Sequence, residues 1–251
     1  MSEILTKRED NILTVTLNRP EKRNALNDGL INSLKDALSE ADRDETLRAI
    51  VIKGAGKDFS SGADLSALQK IAESDVMENL ADAENLLELF ALMRKIKIPV
   101  IAAVHGRALA GGCGLATACD IVLATESARF GYPEVKIGFV AAMVMAILRR
   151  NLPEKRSFEL ITQGFDFSAD EAEKFGLINR VYADETFDDD VKNYVAAYEK
   201  VSRSAVVLSK KLLYQMDGMT FETALETGAE VNTIARMTED CRKGIARFLE
   251  K

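Results

Sequence analysis

The chain has 251 residues, of which 47% are hydrophobic and 29% charged, which bounds it to one large globular domain or one domain with an appendage. A formal net charge of -7 argues against any partner held by phosphate neutralisation along a polymer, so nucleic acid is excluded as an expected ligand. Charges scattered from Met1 to Pro20, and a longest apolar run of only Phe139 to Leu148, exclude a signal peptide and a bilayer span and predict a soluble cytoplasmic protein with no membrane partner.

In chain order, Leu13, Val15 and Leu17 alternate with Thr14 and Thr16, the period of a half-buried strand, and Ile4 to Lys7 is placed to pair with it across the polar Glu9–Asp10–Asn11 turn. Asn27 is an N-cap for a helix carrying Leu30, Leu34, Leu38 and Ala41, and Ala49 to Ile52 reads as a short strand. There follow a helical stretch around Leu86, Leu89, Phe90 and Met93, a strand from Val100 to Val104, a small-residue helix from Gly111 to Cys119, and a strand from Ile121 to Ala124. Strands alternating with helices predict an α/β core with largely parallel sheets. After about Asp184 strand signals vanish, and helices are expected over Val191 to Val201, Ala205 to Met216, Phe221 to Met237 and Glu239 to Leu249. Residues 1–183 therefore read as the core that carries the site, and 184–251 as a helical region that packs on the core or on a neighbouring subunit.

Several chemistries lose their anchors. Cys113, Cys119 and Cys241 form no CxxC pair, and His105 is the only histidine, so a cysteine zinc site and a multi-histidine metal site are excluded. His105 sits at a strand end before Gly106 and reads as a structural residue of a turn rather than a catalytic one. Gly54–Ala55–Gly56 lacks the third glycine of the dinucleotide fingerprint, no phosphate-loop motif occurs, and Ser60 and Ser61 lack the flanking glycines of a nucleophile elbow. Proton chemistry is then left to a carboxylate. Two glycine-containing turns remain, Phe59 to Leu65 and Ala110 to Gly114, each after an apolar strand. The second opens a helix, whose unpaired N–H groups and dipole suit an oxygen gaining negative charge. Taken alone, these glycines are better explained by tight turns and close helix packing.

Five segments in register carry a resemblance over essentially the whole chain: Asn18–Arg19–Pro20 with Asn24–Ala25–Leu26, Ser61–Gly62–Ala63–Asp64–Leu65, Pro99 to Gly106 with Ala110–Gly111–Gly112–Cys113, Cys119–Asp120–Ile121, and Phe130–Gly131–Tyr132–Pro133–Glu134. In this order they resemble the enoyl-CoA hydratase/isomerase, or crotonase, family. The resemblance implies a spiral core of β-β-α turns, a C-terminal helical region that makes homotrimers or homohexamers, an acyl-CoA thioester substrate and a place in fatty acid metabolism. No separate cofactor is implied, because coenzyme A is part of the substrate. Carried over by residue, the oxyanion hole falls on the backbone N–H groups of Ala63 and Gly111, and the acid/base on Glu134. Lys22, Arg23, Ala25, Ala63, Asp64 and Leu65 match coenzyme A contacts, and Phe248 and Lys251 match tail residues near the adenine.

The sequence departs from the pattern at Gly114, where a two-carboxylate hydratase carries its first glutamate; the second is Glu134. One carboxylate suits isomerisation, in which the proton taken from one carbon is returned to another, and can also serve hydration. Hydrolysis or C–C cleavage of an acyl-CoA, and non-catalytic acyl-CoA binding, stand as alternatives. Gly138–Phe139–Val140–Ala141–Ala142 is bulkier than the family's glycine pair, which predicts a reshaped acyl pocket. Tyr132 is placed either to orient Glu134, to supply a proton or simply to pack. Asp64 and Asp120 read as turn-holding residues, and a carboxyl at position 134 in an apolar pocket should be a stronger base than a free glutamate.

Overall fold

The computed structural model describes residues 2–250, the side chains of Leu65 and Ala67 excepted. The opening alternation forms a hairpin, β1 (Ile4–Glu9) against β2 (Ile12–Leu17), with Asp10 at φ 50° in the turn. Helix α1 (Asp28–Arg43) starts where Asn27 accepts the Leu30 N–H at 2.8 Å, and its Leu30, Leu34 and Leu38 stripe is fully buried. The chain continues through β3 (Ala49–Gly54), α2 (Leu65–Glu73), α3 (Val76–Lys95), β4 (Val100–Val104), β5 (Arg107–Leu109), α4 (Gly111–Ala118), β6 (Ile121–Thr125) and β7 (Arg129–Gly131). A 3-10 turn (Pro133–Ile137) leads to α5 (Ala142–Asn151), α6 (Glu154–Gln163), β8 (Asp166–Ser168), α7 (Ala169–Phe175) and β9 (Arg180–Tyr182). Four helices close the chain: α8 (Phe187–Ala196), α9 (Arg203–Gln215), α10 (Phe221–Met237) and α11 (Glu239–Leu249).

Two sheets result, one ordered β1-β2-β3-β4-β6-β9 and parallel from β2 onward, the other β5-β7-β8. An isolated bridge from Ser60 to Ala108 extends the small sheet by one more segment. Each turn of the chain therefore gives a strand to the large sheet, a short segment to the small one, and then a helix. This is the spiral. The periodicity of β4 shows how both sheet faces are filled: Val100, Ala102 and Val104 join the main core beneath α1, α3 and α4, whereas Ile101 and Ala103 join a second cluster with Phe187, Val191 and Val195 of α8. Thus α8, although it follows residue 183, seals the back of the sheet. By contrast α10 and α11 bury none of their residues and expose Phe221, Leu225, Ile234, Met237, Ile245 and Phe248.

The C-terminal helices are moored through α9. Lys210 is buried, donating to Asp120 at 2.6 Å and to the Met93 and Ile98 carbonyls at 3.2 and 3.0 Å, while the Tyr214 hydroxyl donates to the other Asp120 oxygen. Asp120 also accepts the Val100 N–H at 2.7 Å, so it ties β4, β6 and α9 together, the turn-holding role its position suggested. No helix of the described residues is long and apolar enough to cross a membrane.

Candidate active site

The two glycine turns meet. Leu26 donates its N–H to the Gly62 carbonyl at 2.6 Å and accepts from the Asp64 N–H at 3.2 Å, a parallel bridge that turns the N–H of the intervening Ala63 away from Leu26. Gly62 makes the approach possible: it sits at φ 90°, and a Cβ there would lie 2.7 Å from Ala110 Cβ, 2.8 Å from the Leu109 oxygen and 3.4 Å from the Gly111 nitrogen. On the facing strand Ala110 holds φ 49° with its N–H on the Gly131 carbonyl at 2.9 Å, and Gly111 opens α4. Among the described residues neither the Ala63 nor the Gly111 N–H has an acceptor. Two N–H groups without an acceptor on abutting turns, one of them at a helix N-terminus, are the kind of donors that suit an anion.

A buried scaffold fixes these turns. Asn24, fully buried, accepts from the Arg19 N–H at 2.9 Å and donates to the Ala55 and Asp58 carbonyls at 2.8 Å each. The Ser60 hydroxyl donates to the Asn24 carbonyl at 2.8 Å, and the Ser61 N–H reaches the Arg23 carbonyl at 3.0 Å. Arg19 binds the Ala25 carbonyl and pairs with Asp64 at 2.7 Å, and this guanidinium, with the Ser66 N–H, holds the Asp64 carboxyl down at about 2. Asp64 caps α2, so its carboxylate is fully engaged and any ligand contact at residue 64 runs through its backbone. Ala25 is buried with its carbonyl taken, while Lys22 and Arg23 stand exposed on the rim, with Ala63 exposed beside them. Leu65 opens α2, its side chain lying outside the described set; Lys251 lies outside the described residues, and Phe248 is exposed on α11. The structural work of Arg19, Asn24, Asp58 and Ser60 is not readable from the motifs, because it depends on which loops abut.

Glu134 lies in the 3-10 turn that follows β7 of the small sheet. Phe130 of β7 stacks on Phe167 of β8 with ring centroids 6.0 Å apart, Pro133 begins the 3-10 turn, and Gly138 at φ 77° ends it. One Glu134 carboxyl oxygen, Oε2, is buried with no hydrogen-bond partner, and burial raises its pKa. A carboxyl with an unshared oxygen and a raised pKa has the chemistry of a general acid or base. Tyr132 is completely buried, its hydroxyl 3.3 Å from Thr117 Oγ1, and burial pushes its pKa well up; it packs behind the site and is a poor proton donor. The Cys113 thiol, pushed up to about 12 by burial, is inert packing of the same wall. His105 spends Nε2 on the Gly56 carbonyl at 3.0 Å, the structural role its turn position suggested.

At Gly114 the structure is specific about what replaces the missing side chain. A Cβ there would lie 2.7 Å from Val144 Cγ2 and 3.3 Å from Phe90 Cζ. The space is taken by apolar atoms of α5 and α3, so it offers no lodging for a second carboxylate. Phe139 and Val140 of the bulkier segment are 45% and 61% exposed, so neither fills the core.

The chain matches the family model described as enoyl-CoA hydratase/isomerase over residues 7–251. A Thermus thermophilus protein carrying an enoyl-CoA hydratase name is 40% identical over 96% of this chain and 95% of its own length. The 2,3-dehydroadipyl-CoA hydratase of Escherichia coli is 33% identical over 100% and 97%. A crystal structure of enoyl-CoA hydratase from Mycobacterium smegmatis superposes with a TM-score of 0.95 at 32% identity, covering 99% of this chain and 96% of the other.

Proposed function

The chain belongs to the enoyl-CoA hydratase/isomerase family and has the crotonase fold of its solved relatives, and from that premise we propose that it isomerises the double bond of an enoyl-CoA with Glu134 as its single acid/base. The observation that carries the choice of reaction is the apolar filling at Gly114 by Val144 and Phe90, which leaves one carboxylate at the site.

The thioester oxygen accepts hydrogen bonds from the Ala63 and Gly111 N–H groups, which hold it more tightly as it becomes an enolate. Preorganised donors of this kind each lower the barrier by about 3 to 4 kcal/mol. Glu134, as carboxylate, takes a proton from the α carbon, holds it as the acid and returns it to the γ carbon. The raised pKa favours both halves of that cycle near neutrality. Lys22 and Arg23 on the rim meet the nucleotide phosphates.

Hydration is the second reading, favoured by the hydratase names of the relatives; Glu134 would then both activate water and protonate the α carbon. Incubating the protein with 2-enoyl- and 3-enoyl-CoA thioesters and weighing the products separates them. Isomerisation leaves the mass unchanged and hydration adds a water; release of free coenzyme A would instead indicate hydrolysis or C–C cleavage.

For assembly, the apolar residues exposed on α10 and α11 support a homotrimer, or two trimers stacked as a hexamer. The unpaired Cys113 and Cys119 thiols and the relatives' enoyl-CoA names support a setting in the fatty acid metabolism of the cytoplasm.

A further inference from the structure

The direction of the Ala63 donor is set by one peptide plane. In the trans peptide joining Gly62 to Ala63, the Gly62 C=O and the Ala63 N–H point opposite ways. The Gly62 oxygen accepts the Leu26 N–H at 2.6 Å, so the position of Leu26 decides where the Ala63 N–H is aimed. Leu26 also backs the second turn, since a Cβ on Gly111 would meet its Cδ1 at 3.3 Å.

The bridge that holds Leu26 is short. It has two hydrogen bonds, the second from the Asp64 N–H at 3.2 Å, and it lies outside the strands. Gly62, at φ 90° and without a Cβ, does little to stop that plane from rocking. The Arg19 guanidinium closes the bridge from outside, and each of its three nitrogens has a partner. Nη1 donates to the Ala25 carbonyl at 2.5 Å, Nη2 donates to Asp64 Oδ2 at 2.7 Å, and Nε faces Glu3 Oε1 at 3.6 Å. Ala25 precedes Leu26 and Asp64 follows Ala63, so the fork grips both strands of the bridge at once. Asp64 is itself locked, its Oδ1 accepting from the Ser66 N–H at 3.0 Å and the Ser66 hydroxyl at 2.9 Å. The Arg19 and Asp64 side chains are only 13% and 5% exposed, so water and salt screen the pair little.

We propose that Arg19 is a positioning residue of the reaction: its fork holds Leu26 and Ala63 in register and so aims the Ala63 N–H at the thioester oxygen. This rests on the reading of Ala63 and Gly111 as the oxyanion donors. With each nitrogen engaged inside the protein, Arg19 acts through Ala63 rather than on the substrate. Loss of one such donor costs about 10²- to 10³-fold in kcat, and a misplacement of about 1 Å can cost about 10²-fold. Arg19→Gln should therefore lower kcat by about 10²-fold. Arg19→Lys keeps the charge but not the planar fork and should recover part of that loss, to about tenfold below the parent.

Two measurements separate aim from stability. In steady-state kinetics with a 3-enoyl-CoA, kcat should fall while KM stays within about threefold, the split expected of an interaction made in the transition state. In isotope-edited infrared spectra of bound butyryl-CoA labelled at the thioester carbonyl, the parent should lower the carbonyl stretch relative to free thioester. Arg19→Gln should return it toward the free value and Arg19→Lys part of the way. Asp64→Asn, which removes the charge from one arm of the clamp, should move both readouts in the same direction, and it takes the place of Arg19→Gln if that variant does not fold. Leu38→Ala, which empties a buried site deep in α1, is the control: it should lower the melting temperature yet leave kcat per folded molecule and the carbonyl stretch at the parent values. Parent-like kcat per folded molecule in Arg19→Lys and Asp64→Asn, or a fall in kcat with an unmoved carbonyl stretch, overturns the proposal. A parent that binds butyryl-CoA without lowering its carbonyl stretch would overturn the oxyanion reading itself, and this inference with it.

Discussion

Installing the missing carboxylate by Gly114→Glu should damage the fold before it can help the chemistry. The new Cβ would lie 2.7 Å from Val144 Cγ2 and 3.3 Å from Phe90 Cζ, and Val144 is a stiff, buried side chain. Overpacking of this kind costs about 1 to 3 kcal/mol. A carboxyl left there without a partner adds about 1 to 3 kcal/mol. Replacing a glycine within a helix returns about 1 kcal/mol. The net loss is about 3 kcal/mol, and at about 2 to 4 °C per kcal/mol for a chain of this size the melting temperature should drop by about 6 to 12 °C. Scanning calorimetry of the parent, Gly114→Glu, Val144→Ala and the double variant reads this directly. The double variant should be more stable than the sum of the single losses, because Val144→Ala removes the clash. Any gain in hydration from the added carboxylate should therefore appear only together with Val144→Ala. A Gly114→Glu variant as stable as the parent and hydrating faster would refute the packing argument.

Glu134→Gln should reduce turnover by about 10²- to 10⁴-fold while preserving the fold and thioester binding, as read by steady-state rates and a binding titration. Because burial raises the Glu134 pKa, the carboxylate is penalised in the fold: the stability that this group contributes is fully present below the ordinary value of 4.5 and is lost as pH rises through the raised one. Glu134→Gln should therefore be more stable than the parent at neutral pH, with the gap closing on acidification, and the acid limb of kcat/KM should lie above the ordinary carboxylate range. Asp64 has the opposite sign, lowered from 3.8 to about 2, so Asp64→Asn should be less stable than the parent above that window and match it as pH falls through it. Gly111→Pro, lacking the N–H, should lose about 10²- to 10³-fold in kcat. The fitting control is Gly111→Ala, whose Cβ meets only Leu26 Cδ1 at 3.3 Å; Gly112→Ala would drive a Cβ to 2.5 Å from the Ser60 carbonyl oxygen and should destabilise the fold, so it is no neutral comparison.

Long, periodic elements were legible in the chain. The alternation at Leu13 to Leu17, the capped leucine stripe after Asn27 and the apolar run at Val100 each produced the expected element. The three-residue strands β5, β7, β8 and β9 were not, because three residues are too few to show a period. Helix α2 was missed because its start was read as a glycine turn, and α5 because an apolar run from Phe139 does not by itself distinguish helix from strand. Glu134 and the Gly111 turn could be singled out through the motif order. What stands against Gly114 could not, since Phe90 and Val144 lie far from it in sequence and meet it only through packing.

The most direct test of a single carboxylate moving one proton is turnover of a 3-enoyl-CoA in deuterated water, with the early product examined by mass spectrometry. A proton taken by Glu134 into a partly buried carboxyl is shielded from solvent, so the 2-enoyl product should contain less than one deuterium per turnover and no added water. A product carrying solvent label at the α carbon in every molecule together with a solvent-derived hydroxyl would contradict the account, and would make Glu134 a hydratase residue that manages water alone.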